Sequence, residues 1–297
     1  MIRLVAVALV WGFSFLFIKV LVEGAPPVFV AWGRVVLGAA VLLPYLYLAG
    51  QRLPGRGRWG KIAVQGMLMT ALPFTLIAWG ETRIASALAS VLNASTPMFT
   101  AAAAAWMLRE RLRPPQLAGL VLGLVGVGVV AGVGGSDLAA SSLAGSLAIL
   151  GASCCYGLGF AWASRHLTDL SATQLTIAPS LVTVVVLAPL AGLAVAVDGL
   201  ELTWVGVLCL VLLGCLGTGL ALLLNYQVLK ELGPTSASLV TYLVPVVGVT
   251  AGVLLLDEPF SFRLVIGGAL IVLSVALVQG MLLGGRKRAA PARESSG

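Results

Sequence analysis

Residues 86–110 read SALASVLNASTPMFTAAAAAWMLRE, and residues 234–258 read PTSASLVTYLVPVVGVTAGVLLLDE. Ser90, Asn93, Pro97 and Glu110 of the first stretch have counterparts at Ser238, Thr241, Pro245 and Glu258, each 148 positions farther on (90 to 238, 110 to 258) in a chain of 297. An offset of half the chain reads as a duplication. In both copies an apolar, helix-length run carries a proline near its middle and ends on a glutamate. Ser86, Ser90, Asn93, Pro97 and Thr100 recur at steps of three and four, which puts them on one helix face. Pro234, Ser238, Thr241, Pro245 and Gly248 form the matching face of the second copy. Polar, proline-broken stripes in apolar helices need something polar to face, and this predicts a transport cavity between the halves.

Working outward, 60% of the residues are hydrophobic, 10% are charged, and the mean hydropathy is +1.07. Soluble domains are nearer a quarter charged, so composition alone predicts an integral membrane protein. Ten apolar runs lie at residues 4–22, 28–49, 62–80, 85–108, 116–133, 143–164, 172–196, 204–226, 235–256 and 264–283. Each is long enough to cross a bilayer as a helix, and far too long for a barrel strand. Backbone groups in lipid must bond internally, so the predicted fold is an all-α bundle of ten transmembrane helices. The first run carries Lys19 near its far end and leads straight into a second span, so it is read as a retained helix rather than a signal peptide.

Lysine and arginine mark the cytoplasmic side. With the N-terminus inside, Arg52, Arg56, Arg58 and Lys61, then Arg109, Arg111 and Arg113, then Arg286, Lys287, Arg288 and Arg293 all fall on that side, whereas the outer loops hold Arg83 and Arg263. Both termini are therefore expected in the cytoplasm. The formal charge of +7 is a topology signal carried by short loops, and nucleic acid is not an expected partner. Five spans per half force the second half to enter upside down, and the loops agree. Residues 109–113 hold three arginines, while the equivalent 257–261 hold Asp257, Glu258 and no base. The expected division is a first repeat at 1–135, a second, inverted repeat at 143–284, and a disordered basic tail at 285–297. Inverted repeats are the architecture of alternating-access transporters, with the site near the midplane.

The first span contains Trp11-Gly12-Phe13-Ser14-Phe15 and then Lys19; its partner is Tyr156-Gly157-Leu158-Gly159-Phe160. The glycines read as close helix packing. For Trp11, Phe15, Tyr156 and Phe160, cavity lining and core packing both stay open. Lys19 and Arg34 are the basic residues inside spans, both near outer ends, where they are gate candidates or snorkel to the interface. Thr70 and Thr218 share the repeat offset. Trp79 and Tyr226 lie near span ends, where aromatic belts occur, and Asn225 is an amide near a helix end. Prolines inside a helix free a carbonyl, here those of Asn93 and Thr241, so Pro97 and Pro245 are read as hinges. Spans 5 and 10 are rich in small residues, Gly119, Gly123, Gly126 and Gly128 in the one and Gly267, Gly268 and Ser274 in the other, so each is expected to pack against a neighbouring helix, within a monomer or across a homodimer. Span 7 reads as peripheral.

The chain resembles the drug/metabolite transporter superfamily, specifically its ten-helix EamA-type members. The residues that carry this are Trp11-Gly12 with Phe15 and Lys19, Arg34, Pro97 with Glu110, Pro245 with Glu258, and the segment Leu229-Lys230-Glu231-Leu232-Gly233-Pro234. The resemblance implies a carrier whose central cavity is lined by spans 1, 3, 4, 6, 8 and 9 and which moves small metabolites, often outward. Amino-acid exporters, including an aromatic amino-acid branch, are similar in length and helix count. Four-helix members of the superfamily carry a glutamate in the first helix, whereas this chain has Ser14 there.

The expected function is thus inner-membrane export of a small neutral or zwitterionic solute, amino acids first. Ser14, Asn93, Asn225 and Thr241 would hydrogen-bond it, and Trp11, Phe15, Trp79, Tyr156, Phe160 and Tyr242 would give apolar or stacking contact. With no acid read inside a span, the solute gradient is the expected driving force. No cofactor is expected: Cys154, Cys155, Cys209 and Cys215 read as packing residues, and His166 sits just past a span end. No nucleophile elbow, phosphate loop or metal-ligand spacing points to an enzyme. The alternatives are a carrier of anionic, phosphorylated metabolites, which needs cations deep in the cavity, and a multidrug exporter.

Overall fold

The computed structural model describes residues 2–107, 109, 112–131, 140–227 and 240–278. Among these the chain is helical, in ten helices. The first half holds α1 (Ile2–Leu21), α2 (Pro27–Leu48), α3 (Trp59–Gly66, Met67–Ala71 and Leu72–Glu81 in one run), α4 (Ser86–Asn93 and Thr96–Met107) and α5 (Pro114–Ala131). The second holds α6 (Ala140–His166), α7 (Ala172–Asp198), α8 (Trp204–Leu212, then Leu213–Leu220 and on to Gln227), α9 (Val240–Leu255) and α10 (Phe262–Val278). Five runs are long and apolar enough to cross a membrane, and α1, α5, α9 and α10 contribute shorter apolar helices. Along α7, Val185, Leu190, Leu193 and Val197 are exposed, an outward face that lipid rather than water suits. The N-terminus of α7 carries a capping box, Ser171 with Gln174, and the helix runs unbroken through Pro179 and Pro189.

The packing repeats between halves. α1 packs on α9 and α6 on α4; α2 packs on α8 and α7 on α3; α2 meets α7, and α5 meets α10. Exchanging each helix with the one five places on maps these pairs onto themselves. Two backbone details repeat as well. Among the described residues, the non-glycine ones with positive φ are Arg109 (56°) and Asp257 (52°), each just past the end of its α4 or α9 helix, where a left-handed residue terminates a helix. The π-helical stretches Met67–Ala71 of α3 and Leu213–Leu220 of α8 also stand at equivalent positions.

The glycines work as read. A Cβ on Gly126 of α5 would sit 3.0 Å from the Gly267 carbonyl of α10, so this small-residue pair packs within one chain. On Gly157 a Cβ would fall 2.6 Å from the Phe99 carbonyl carbon and 2.7 Å from the Thr100 nitrogen. Both atoms are backbone and cannot turn aside. Gly157→Ala is therefore expected to push α6 off α4 and destabilise the protein by about 1–3 kcal/mol, read as a lower thermal midpoint in detergent. An unchanged midpoint would mean this contact does not hold the two helices together.

One expectation is corrected. The run 85–108 is not one kinked helix but two, broken at Ala94–Ser95, and Pro97 begins the second rather than bending the first. The carbonyl that a residue-97 amide would have satisfied is that of Asn93, and Thr96 Oγ1 donates to it at 2.7 Å. Ser95 Oγ likewise donates to the Leu92 carbonyl at 2.7 Å. These hydroxyls replace the lost helical bond and make a full break affordable. Pro245, in contrast, lies inside a continuous α9.

Candidate functional site

Between the halves lies a cavity of about 580 Å³. Its aromatic wall is Trp11 and Phe15 of α1, Phe74 of α3, Tyr156 and Phe160 of α6, and Tyr226 of α8. The Trp11 indole N–H is fixed by the Gly217 carbonyl at 3.1 Å. The polar wall comes from Ser14, from Asn93, Thr96 and Thr100 on either side of the α4 break, and from Asn225. Ser14 Oγ donates to the Val10 carbonyl at 2.8 Å; Asn93 Oδ1 accepts weakly from Ser153 Oγ at 3.4 Å. The α4 break is what turns Asn93, Thr96, Pro97 and Thr100 toward this space.

The cavity also holds a charge. Arg34 is 4% exposed and lines the wall. Its Nε donates to Thr218 Oγ1 at 2.9 Å, and its guanidinium carbon lies 3.7 Å from the centre of the Phe74 ring. Thr218 sits in the π-helical stretch of α8, where the widened turn lets its hydroxyl also reach the Leu213 carbonyl at 3.2 Å. Of the two readings kept open for Arg34, snorkelling to the interface is overturned: α8 covers it.

At the end nearest Ile18 and Ile77 the cavity is shut. Lys19 Nζ donates to the carbonyls of Glu81 (2.7 Å) and Ile84 (3.0 Å). The Glu258 carboxylate, from the second half, accepts from the Ser86 and Ala87 amides at 2.6 and 2.9 Å, satisfying free N–H groups at the start of α4. The Glu201 amide donates to the Gly24 carbonyl at 2.8 Å. Toward the opposite end the cavity runs past Thr100 and Ala104 to Gln116 and Val278.

The EamA-like transporter family profile matches residues 1–132 and again residues 143–279. The chain belongs to the EamA-like transporter family. It is similar to an uncharacterized transporter, YoaV, of Bacillus subtilis, at 25% identity over 91% of this chain and 93% of the relative. It is also similar to YedA of Escherichia coli, described as an uncharacterized inner membrane transporter, at 26% identity over 93% and 89%. A probable terminal-alkyne amino-acid exporter of Streptantibioticus cattleyicolor is 26% identical over 96% and 95%. A crystal structure of a protein 22% identical shares the fold, with a TM-score of 0.66 over 95% of this chain and 96% of that one.

This EamA-like chain is therefore a multi-pass membrane transporter. Of the residues singled out from sequence, its structure brings together Trp11, Ser14, Phe15, Arg34, Asn93, Pro97, Tyr156, Phe160 and Asn225. Trp79 does not join them: it is 36% exposed, and the Arg83 guanidinium lies over its ring at 3.5 Å. The stripe of the opening stretch is divided. Ser86 and Ser90 are fully buried, and a Cβ on Gly252 of α9 would lie 3.0 Å from Ser86 Oγ, so this part of the stripe packs on α9 while the part past the break faces the cavity. The side chains of Thr241 and Tyr242, and all of Glu110 and Ser238, lie outside the described residues.

Glu81 is the residue that sequence reading missed. It lies one position past the run read as a span, beside Thr82 and Arg83, and looks like loop. The structure closes α3 with it, at 0% exposure, and neither carboxylate oxygen has a hydrogen-bond partner among the described residues. Lys19 of α1 is held against this residue's own main-chain carbonyl. An acid does lie within the bundle, so the premise for a purely solute-driven pathway falls. A membrane lysine without an acid on its own helix was the available signal.

Proposed function

We propose that the protein exports small neutral or zwitterionic metabolites, amino acids foremost, by alternating access around the central cavity. The observation that supports this best is the lining, an aromatic wall facing hydroxyl and amide groups in a space of about 580 Å³. That volume is ordinary for a small-molecule site, and the mix suits a solute with an apolar body and a polar end. The likeness to a probable amino-acid exporter over nearly the full length of both chains agrees. The positive-inside bias puts the Lys19–Glu81–Glu258 end outside and both termini in the cytoplasm of a cell whose inner membrane holds the protein. The conformation then has its outer side shut and its cavity running toward the cytoplasm, as loading for export requires.

The test is uptake of a panel of labelled amino acids by proteoliposomes. Wild type is expected to carry a few aromatic or branched members, and Asn93→Ala to slow them about 5-fold, the worth of one hydrogen bond of about 1 kcal/mol. Failure on every amino acid, with organic cations or phosphorylated metabolites carried instead, would keep the carrier and overturn the substrate.

A further inference from the structure

We propose that Arg34 is the anchor for a carboxylate on the transported solute, so that the cavity selects monocarboxylates with an apolar or aromatic body. The inference rests on the cavity being the transport site, and it adds the chemical class of the ligand's polar end.

Three observations converge. The guanidinium is held rigidly, by Thr218 at Nε and by the Phe74 face, and these contacts use neither of its terminal amino groups. Among the described residues those two groups make no hydrogen bond and Arg34 forms no ion pair, although it is 96% buried and lines the cavity. A guanidinium stays charged and presents paired donors that match a carboxylate's two oxygens. Once a solute fills the cavity and displaces its water, leaving such a fork unpaired is costly, and a carboxylate satisfies both arms at once.

The second observation comes from the repeat. In the other half the π-segment threonine, Thr70, meets α7 through Thr183, hydroxyl to hydroxyl at 2.6 Å. A neutral pair is therefore enough to dock these helices, and packing does not require the charge at Arg34. The third is the charge balance of the site. Arg34 is the only charged residue among the described lining residues. One cation matches one carboxylate, whereas a phosphate ester carrying nearly two charges would leave one uncompensated. An α-ammonium group would meet the neutral acceptors Asn93 and Asn225 rather than an acid.

The experiment compares L-phenylalanine, L-phenylalaninamide and 3-phenylpropionate on the wild-type protein, as stabilising ligands in detergent and as competitors of labelled L-phenylalanine uptake in proteoliposomes. The two carboxylates are expected to bind about 10- to 100-fold more tightly than the amide, the worth of a hydrogen bond to a charged group. Arg34→Gln is expected to erase that preference. An amide that binds as well as the acid overturns the anchor while leaving amino-acid transport standing. Binding of 3-phenylpropionate without phenylalanine uptake keeps the anchor and overturns the amino-acid reading. No binding by any of the three overturns both. Because the ligand comparison uses wild type, a poorly folding Arg34→Gln does not remove the test.

Discussion

Lys19→Met is expected to destabilise the bundle by about 3 kcal/mol, because it removes the charged donor that the Glu81 and Ile84 carbonyls share. Glu81 is wholly buried with neither carboxyl oxygen hydrogen-bonded among the described residues, and its own main-chain carbonyl is one of the two that Lys19 bonds. The ammonium does not reach the carboxylate through a hydrogen bond; it is clamped by the carbonyls of Glu81 and Ile84. Methionine would keep most of the stem's packing and delete the charge. Adding Glu81→Leu should restore part of the loss, because with Lys19 gone the buried carboxyl group is left without the ammonium held at its own carbonyl. Thermal midpoints of the two single variants and the double variant in detergent, arranged as a double-mutant cycle, check this. A double variant as damaged as the sum of the singles would mean that the two residues do not act on each other.

The second large effect belongs to Glu258. Its carboxylate caps α4 from the opposite half, so it stabilises the shut conformation of that end in particular. Each hydrogen bond to a charged group is worth about 1.5–3 kcal/mol. Glu258→Ala should thus weaken closure by on the order of 3 kcal/mol, or about 100-fold in the open–shut equilibrium. In a background with the four native cysteines replaced, a single cysteine at Ile77 on the cavity wall reports it. Its labelling by a membrane-impermeant thiol reagent applied from the Lys19 side should rise steeply in Glu258→Ala. Equal labelling with and without the carboxylate would show that the contact does not gate the cavity.

What the sequence made legible was whatever depends on local pattern or on duplication. The apolar runs are long, so their helices followed within a few residues, and the half-chain offset pointed to Pro97 and Pro245, to Thr70 and Thr218, and to the Glu258 that caps α4. Packing by glycines was equally plain, since small residues on an apolar helix have little else to do. Depth and partners were not legible. Arg34 looked shallow because its helix begins nearby, and only the neighbouring α8, with Thr218 in its π-helical stretch, buries it. Glu81 read as loop because hydropathy ends a span at a charge, although a lysine from α1 was waiting beside it. The α4 break was hidden for a similar reason. Proline predicts a disturbed helix, but whether it kinks or breaks is decided by the hydroxyls of Ser95 and Thr96, which satisfy the freed carbonyls. Pro245 has no such pair before it; Leu243 and Val244 stand there, and α9 stays whole.

Alternating access requires the two ends of the cavity to open in turn, and paired distances between spin labels report that motion. One pair would join Thr82 and Phe260 at the Lys19 end, and the other Arg113 and Asp169 at the opposite end. As solute is added to the reconstituted protein, a second population is expected to grow in which the first distance lengthens and the second shortens together. Distances that stay fixed while solute crosses, or that lengthen at both ends at once, would contradict it and describe a continuous pore instead.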